Sequence, residues 1–490
     1  MKIKTTAMQR KAKKLRLNTK QPFGMWVILI TNILFTMGVT TVMICFDDYS
    51  NQTAPYLPLS LQHADLNLYI NLFLFGFSGI IGGLLGFNIG YKRSVVIGMM
   101  YAFAGLIVLS FNNLALIGFS AYIIGLGLAA PNLFTTLSFL YTQDDPRRHA
   151  GFTLVYMGSV LGAALAIITI DLFVNVLGYQ TLFIIMAVLS LIATLIFITS
   201  NTRLHISVID RINPKYEPST YTVIFILVIL SSLLDYFLAY LFILQITTIL
   251  VSLICLGFMV LYTYLEKDLA QKKRNIALLV LLFFSCFFWF IDKNVLIIFI
   301  DYVKLFGNNY GFTGTQTLSA DFMFEANIIL VFAIGIISAI LWNKNKQKQH
   351  VIRLIKMVGL ALLLSSIVCL LLFIGFWLQR LHYYNTTSYL LLAMVMLNSA
   401  AKVLLLPLYY AMVGKFAPRK YEAIVMGFFF VITAALGSLA NMINQQINII
   451  SKDFTQQYTA LSYLYGGLFI LTLILTGIIY LTANIWKKHL

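Results

Sequence analysis

Residues 125–164 have the sequence GLGLAAPNLFTTLSFLYTQDDPRRHAGFTLVYMGSVLGAA. In this stretch two apolar runs flank a short loop with two acids and two arginines around Pro146. The runs extend over about 114–141 and 151–172, so each reaches the roughly 20 residues that a helix needs to cross a bilayer. The segment therefore predicts two transmembrane helices joined by a tight, charged turn.

The rest of the chain has the same character. It has 490 residues, of which 60% are hydrophobic and 10% are charged, with a mean hydropathy of +0.89. Soluble domains carry about 25% charged residues, so this composition excludes a soluble enzyme and a disordered chain. Apolar runs of membrane-spanning length predict an all-α polytopic membrane protein with about fourteen transmembrane helices. The predicted spans are 23–46, 66–89, 93–112, 114–141, 151–172, 179–200, 220–241, 243–265, 276–300, 318–343, 353–378, 386–414, 421–444 and 460–486.

The basic residues predict the orientation of these spans. With the N-terminus inside, 29 of the 34 Lys and Arg residues fall in cytoplasmic segments, as the positive-inside rule requires. Both termini are therefore expected in the cytoplasm, and the net charge of +17 reflects topology and not a nucleic-acid partner. The basic arm 1–22 is expected to lie against anionic lipid of the bilayer. Placing 220–265 outside the membrane would give twelve spans with the same sidedness. The distribution of basic residues therefore predicts the orientation of the chain more firmly than the number of its spans.

The order of spans predicts two six-helix halves with an inserted helix pair between them. Many transporters consist of two such halves with the substrate site between them at the membrane midplane. The predicted units are a cytoplasmic arm (1–22), an N-terminal half (23–200), a linker with the inserted pair (201–275), a C-terminal half (276–486) and a cytoplasmic C-terminus (487–490).

Two segments carry a family resemblance. The 125–164 stretch resembles the signature of the proton-dependent oligopeptide transporters, in which a Gly-rich K-P-N run leads through D-P-R-R to a G-F-x-x-x-Y-M helix. Residues 389–437, which include KFAP and MGFFF phrases, resemble the tenth and eleventh helices of the same family. The resemblance implies the major facilitator superfamily fold, peptide import coupled to protons, a monomer, and the bacterial cytoplasmic (inner) membrane as its location.

The charges that this family uses are mostly missing from the chain. Lys402 stands where the resemblance places a glutamate that is associated with the peptide amino group. The family's first-helix E-x-x-E-R, its K-P-N lysine and its fifth-helix asparagine fall on uncharged residues: Asn32, Phe35, Thr36, Ala130 and Val160.

Ionisable residues within the predicted spans are therefore candidates for substrate or proton coupling. An unpaired charge at the bilayer centre costs at least about 2.5–3.5 kcal/mol, so such groups are expected to pair. We expect Lys402 and Lys293 to pair with Glu325, Asp292 or Asp321, and a substrate or proton that breaks the pair would drive a conformational switch. The alternative is a static salt bridge that only holds helices together.

The predicted substrate-binding residues are Trp289, Asn327, Lys402 and Glu325. The resemblance places Trp289 and Asn327 in the family's pocket, where an indole and an amide suit a zwitterionic or amide-containing ligand. Lys402 would favour a carboxylate or another anion. Trp289 also fits an interfacial aromatic belt.

The charged loop is a candidate cytoplasmic gate. Its acids and bases, Asp144, Asp145, Arg147 and Arg148, can pair across the helix ends and tie the fourth and fifth spans into one moving body. A simple positive-inside anchor is the alternative.

The leading functional hypothesis is a secondary-active transporter of peptides, amino acids or related small metabolites. A membrane enzyme is disfavoured, because no catalytic constellation, metal-ligand spacing or cofactor motif is present. No filter-like loop indicates a channel. Two alternatives remain: a non-transporting sensor or receptor on a transporter scaffold, and an uncoupled facilitator for an anionic substrate.

Overall fold

The computed structural model describes the backbone of residues 20–52, 64–142, 145, 147–200, 241–306, 320–344, 350–381, 384–451 and 453–489. All regular structure in these ranges is helical. Twelve long helices follow one another along the described chain: α1 (Phe23–Gln52), α2 (Ala64–Ile89), α3 (Tyr91–Leu109), α4 (Ala115–Phe139), α5 (Arg148–Thr199), α6 (Leu241–Leu265), α7 (Leu269–Phe306), α8 (Ala320–Lys344), α9 (His350–Arg380), α10 (Tyr384–Phe416), α11 (Glu422–Ile450) and α12 (Phe454–His489).

Helix α5 corresponds to two predicted spans. Its backbone leaves the helical conformation at Gly178, where φ is 74° and ψ is 167°. A residue with a Cβ atom rarely adopts this positive φ, so the glycine allows the chain to break between two otherwise continuous apolar runs. The break separates 148–177 from 179–199, in agreement with the spans predicted at 151–172 and 179–200.

Length and composition identify these helices as membrane spans. Within the described residues, ten helices are long and apolar enough to cross a bilayer, and α2 and α8 add the shorter apolar segments Phe73–Ile89 and Ala326–Ile340. More than half of the side-chain surface of Leu250, Leu253 and Phe258 on α6 is exposed. Soluble proteins rarely expose such large apolar surfaces, whereas lipid covers them readily.

The inserted helix pair is only partly described. Helix α6 matches the second predicted inserted helix, while 220–241 lies almost wholly outside the described residues. The count of fourteen spans, the cytoplasmic termini and the unit boundaries therefore stay predictions.

Helix packing divides the described chain into two halves. In the first half, α1 packs on α5, and α4 packs on α2 and α3. In the second half, α9 packs on α10 and α12, and α7 contacts α9, α10 and α11. The halves meet where α2 contacts α11 and where α5 contacts α8 and α10. We call the surface along which the two halves touch the seam.

Glycine allows close approach at the seam. A Cβ atom at Gly427 of α11 would collide with the backbone of Gly79 on α2, and one at Gly83 of α2 would collide with the backbone of Ala423 on α11. The small residues in 76–83 thus let two membrane helices come together at backbone distance.

Candidate functional site

An ion pair joins α7 and α10 at the middle of the second half. The Lys402 ammonium lies 2.8 Å from Oδ1 of Asp292. Asn398, one helical turn before Lys402, donates its side-chain N–H to the same oxygen at 2.8 Å. Asp292 is 2% exposed. A buried carboxylate needs a counter-charge and hydrogen bonds, and α10 supplies both from one face.

Lys402 also faces the seam. Its side chain keeps 34% of its accessible surface although its neighbours Ala401 and Val403 are buried. The Tyr156 hydroxyl of α5 lies within electrostatic range of Lys402 and Asp292. Met157 of α5 and Val403 pack in one cluster with a buried residue of α8. The lysine is therefore both paired and accessible from the space between the halves.

Lys293 follows Asp292 directly on α7 and is half-buried. Within the described residues it forms no ion pair within 4 Å, so its predicted pairing with a carboxylate is not seen there. The predicted partners Asp321 and Glu325 lie on α8, but their side chains are outside the described part of the structure.

Three polar atoms near this region are buried without a hydrogen-bond partner: Oδ1 of Asn398, Oδ1 of Asn327 and Nε1 of Trp289. Asn327 lies one turn before Val331, which belongs to the same cluster as Met157 and Val403. Two amide acceptors and one indole donor are therefore available to a ligand that carries both N–H groups and oxygen atoms.

Trp289 is more enclosed than an interfacial belt residue. It is 5% exposed and packs edge-on against Phe288 and Phe429, with ring centroids 5.2 and 5.7 Å apart. Phe429 in turn stacks on Tyr409 at 3.8 Å. Trp289 thus belongs to an aromatic wall between α7, α10 and α11.

A neutral polar network surrounds Asn294, which follows Lys293 on α7. Oδ1 of Asn294 accepts hydrogen bonds from Nδ2 of Asn444 at 3.0 Å and from the Tyr465 hydroxyl at 3.1 Å. These three side chains are buried and link α7, α11 and α12. The sequence analysis did not identify this network or Asn398, although the i, i+4 spacing of Asn398 and Lys402 is a signal that could have done so.

In the first half, a neutral side chain joins two helices at the position where the resemblance places a charge. Nδ2 of Asn32 on α1 donates to the Val155 carbonyl at 3.0 Å and to the Ser159 hydroxyl at 2.6 Å on α5. Asn32 is 6% exposed. This half therefore holds its α1–α5 contact with neutral hydrogen bonds.

The two arginines of the predicted gate loop make different contacts. Asp145 and Arg147 pair within the loop at 2.8 Å, and Arg147 also donates to the Lys20 carbonyl at 2.6 Å. The hydrogen bonds with Asp145 raise the pKa of the Arg147 guanidinium above its usual value. Arg148 instead turns into the protein and donates to Ser138. Asp144 lies outside the described residues.

The charged residues in 91–93, 145–148 and 415–422 lie at helix ends and in the short connections between helices, at one end of the bundle that we call the basic end. There Phe134 of α4 stacks on Tyr410 of α10 at 4.2 Å, and the Tyr91 hydroxyl donates to the Arg419 and Lys420 carbonyls. The two halves are thus in contact at the basic end. No group of His, Cys, Asp and Glu suited to a metal ion occurs among the described residues.

Comparison of the sequence and the structure with known proteins finds membrane transporters in each case. The sequence model of the Major Facilitator Superfamily matches residues 23–442. An uncharacterized transporter of Bacillus subtilis (strain 168) is 24% identical over 436 residues, which are 84% of this chain and 83% of the relative. A dipeptide and tripeptide permease A of Proteus mirabilis (strain HI4320) is 23% identical, with 83% and 82% covered. The crystal structure of a POT family transporter in complex with 5-aminolevulinic acid superposes with a TM-score of 0.70 at 20% identity, covering 94% of this chain and 97% of that one.

Proposed function

Because the chain belongs to the Major Facilitator Superfamily, we propose that it carries a small peptide, an amino acid or a related metabolite across the membrane by alternating access of its two halves. The superfamily consists of membrane transporters, and the relatives named as di- and tripeptide permeases support a peptide-like substrate. The observation that carries the proposal is the Lys402–Asp292 pair, which is intact, held by Asn398 and accessible from the seam.

The pair offers a direct way to couple binding to motion. A substrate carboxylate that reaches Lys402 competes with Asp292 for the ammonium. Asp292, which is almost fully buried, then needs another donor, and a substrate ammonium or amide N–H beside Asn398 can supply it. A ligand with both groups therefore replaces one buried ion pair with two, and its different affinity for the two arrangements shifts the conformational equilibrium.

We further propose where the protein works. Basic loops mark the cytoplasmic side, so the basic end faces the cytoplasm of a bacterium and the chain lies in the cytoplasmic membrane. A monomer suffices, because both halves of the seam come from one chain. Protons are the proposed driving ion, with Asp292 as one acceptor, since protonation would release Lys402 in the same way as a substrate does.

A second candidate function follows from the charge of Lys402. Lys402 carries a positive charge at the position at which the resemblance places a glutamate, and Lys293 lies next to Asp292 on α7. An uncoupled facilitator for an anionic metabolite would use this charge to attract its substrate without any proton. The two functions differ in their response to a pH gradient.

The test is uptake into proteoliposomes with and without an imposed pH gradient, using a neutral dipeptide, an acidic dipeptide and a dicarboxylate. Peptide uptake that the gradient accelerates supports the proposal, and gradient-independent uptake of the dicarboxylate supports the facilitator. Absence of uptake of all three, with normal ligand-induced thermal stabilisation, would indicate a sensor or receptor and overturn transport.

Variants test the role of the pair. We expect Lys402→Ala and Asp292→Asn each to reduce uptake at least about tenfold, and the double variant to lose no more than the worse single variant, because the two residues act as a unit. Lys273→Ala is the matched control, since this lysine is exposed on the same helix as Asp292. Normal uptake by folded Lys402→Ala would reduce the pair to a static salt bridge.

A further inference from the structure

An apolar groove opens on the side of the helix bundle, close to the basic end. Its volume is about 580 Å³, within the roughly 300–1,000 Å³ that small-ligand sites occupy. Its walls come from the starts of α1 and α5 in the first half and from the end of α8 in the second half. The apolar side chains that line it include Phe23, Trp26, Ala150, Leu154, Ile336 and Ile340.

Small side chains between α5 and α8 leave this space open. Ala150 on α5 and Ala339 on α8 are almost fully buried, and their methyl groups are too short to fill the gap between the two helices. At the rim, about half of the surface of Phe23, Trp26 and Ile340 is exposed. A concave surface with an exposed apolar rim is a site for an apolar ligand or for the membrane.

The groove is closed on its inner side. A Cβ atom at Gly335 of α8 would collide with the side chain of Met157 on α5, so the two helices touch there. Met157 also packs with Val331 and Val403, next to Lys402. This contact separates the groove from the ion-pair region. The groove therefore opens outward, toward the hydrocarbon of the bilayer, and not toward the candidate substrate site.

A positive charge lies at the mouth of the groove. Lys20 lines the mouth and its side chain is exposed. The backbone at this point is fixed to the charged loop: Arg147 donates to the Lys20 carbonyl at 2.6 Å, and the Tyr141 hydroxyl donates to Oε1 of Gln21 at 2.8 Å. The apolar groove and the lysine are thus held together by the same short segment.

The sequence is basic on both sides of the groove. Residues 1–22, which lead into α1, contain eight Lys and Arg residues and no acid. Helix α8 ends at Lys344, and residues 344–350 contain three lysines and no acid. Basic clusters directly beside an apolar membrane surface attract anionic lipid headgroups. The charge around the groove therefore complements a phosphate and disfavours a cationic ligand.

From this geometry we infer that the groove binds an anionic phospholipid, with one acyl chain between α1, α5 and α8 and the phosphate beside Lys20. The chain covers the exposed apolar rim, and the phosphate meets the positive charge at the mouth. Because the walls belong to both halves, the lipid contacts both of them from the membrane side. The site is separate from the Lys402–Asp292 pair and does not depend on the identity of the transported substrate.

Photolabelling of the full-length protein tests this inference. The protein is placed in phosphatidylcholine nanodiscs that contain a small fraction of phosphatidylglycerol or phosphatidylcholine with a photoactivatable diazirine in the acyl chain. Mass spectrometry then locates the labelled residues. We expect the phosphatidylglycerol to label 336–340 at least about fivefold more than the phosphatidylcholine with the same chains, the effect of one basic residue at an anionic surface. Inorganic phosphate should not compete, because it has no acyl chain.

Two variants separate the headgroup from the chain. Lys20→Gln lies before the first helix and should remove the preference for phosphatidylglycerol, whereas Lys273→Gln, an exposed lysine on α7, should keep it. Ala339→Phe fills the groove and should reduce labelling of 336–340 by both lipids. Leu250→Phe is the matched control, because Leu250 is exposed on α6, away from the groove.

Equal labelling of 336–340 by the two lipids, or an unchanged preference in Lys20→Gln, would overturn the inference. Competition by inorganic phosphate would reduce the site to a simple anion site and would also overturn it. So would labelling that falls as the ratio of protein to lipid rises, since a second copy of the chain would then cover the groove. The assay needs no substrate, so a failure of uptake leaves its result intact.

Discussion

The two halves satisfy their buried polar side chains in different ways. In the first half, Asn32 joins α1 to α5 through neutral hydrogen bonds to Val155 and Ser159. In the second half, Lys402 joins α10 to α7 through a charge on Asp292. A neutral contact is nearly indifferent to an approaching charged ligand, whereas an ion pair is strongly perturbed by one. We therefore expect the second half to be sensitive to substrate and the first half to have a packing role.

The largest effect is expected from breaking the charged contact on one side. Asp292→Ala leaves Lys402 without its counter-charge and Asn398 without an acceptor, and should lower the free energy of unfolding by about 3–5 kcal/mol. Thermal unfolding in detergent measures the change, with the exposed Lys273→Ala as control. A loss no greater than that of Asn32→Ala would break the comparison between the halves.

A neutral network in the second half separates the effect of charge from that of location. Asn294→Ala removes the acceptor shared by Asn444 and Tyr465, and should cost about 2 kcal/mol because two buried donors lose a partner. Tyr465→Phe, which removes only one donor, should cost about 1 kcal/mol. The same unfolding measurement applies, and substrate preference should stay unchanged in both variants. A shift in preference would extend the sensitive region beyond the ion pair.

The neutral contact of the first half should respond weakly. Asn32→Ala removes one donor that serves two acceptors, and we expect a loss of about 1–2 kcal/mol in stability. Its uptake should keep the same ratio between neutral and acidic substrates as the unmodified protein. Competition assays with the two substrate types measure that ratio, and a marked change would give the first half a direct role in recognition.

The smallest effect is expected outside the membrane core. Asp145→Asn weakens the pair with Arg147, which lies in a loop at the end of the bundle, and should cost less than about 1 kcal/mol. High salt should weaken this contribution further, because ions screen charges near solvent, while the Lys402–Asp292 pair should be less affected. Unfolding at low and high ionic strength measures both contributions, and an equal salt response would contradict the deeper burial of the Asp292 carboxylate compared with that of Asp145.

Several features of the fold could be predicted from composition and local signals. The break in α5 was anticipated from the apolar runs at 151–172 and 179–200, and the structure provides its cause in the positive φ of Gly178. The resemblance of 125–164 to a known family was confirmed by the superfamily match over 23–442. These signals are local in the chain, so no knowledge of helix packing was needed.

The candidate site could be predicted only in part. Lys402 and Asp292 were singled out because charges inside membrane helices are rare and need partners. Asn398 and the Asn294 network were missed. A neutral amide in an apolar helix gives no indication in the sequence of which residue it contacts. Arg148 was expected to pair with the acids of the charged loop, yet its side chain is buried and donates to Ser138.

The sequence by itself determined that this chain is a bundle of membrane helices, which way its basic loops are expected to face, and which charges would need partners. Hydrophobicity and charge act residue by residue, so they can be counted without coordinates. Only the tertiary structure decided which partners meet. Helices that are apolar on every side have no polar stripe to show which face packs inward. The pairing of Lys402 with Asp292, and the burial of Arg148 against Ser138, therefore became visible only once the helices were placed against one another.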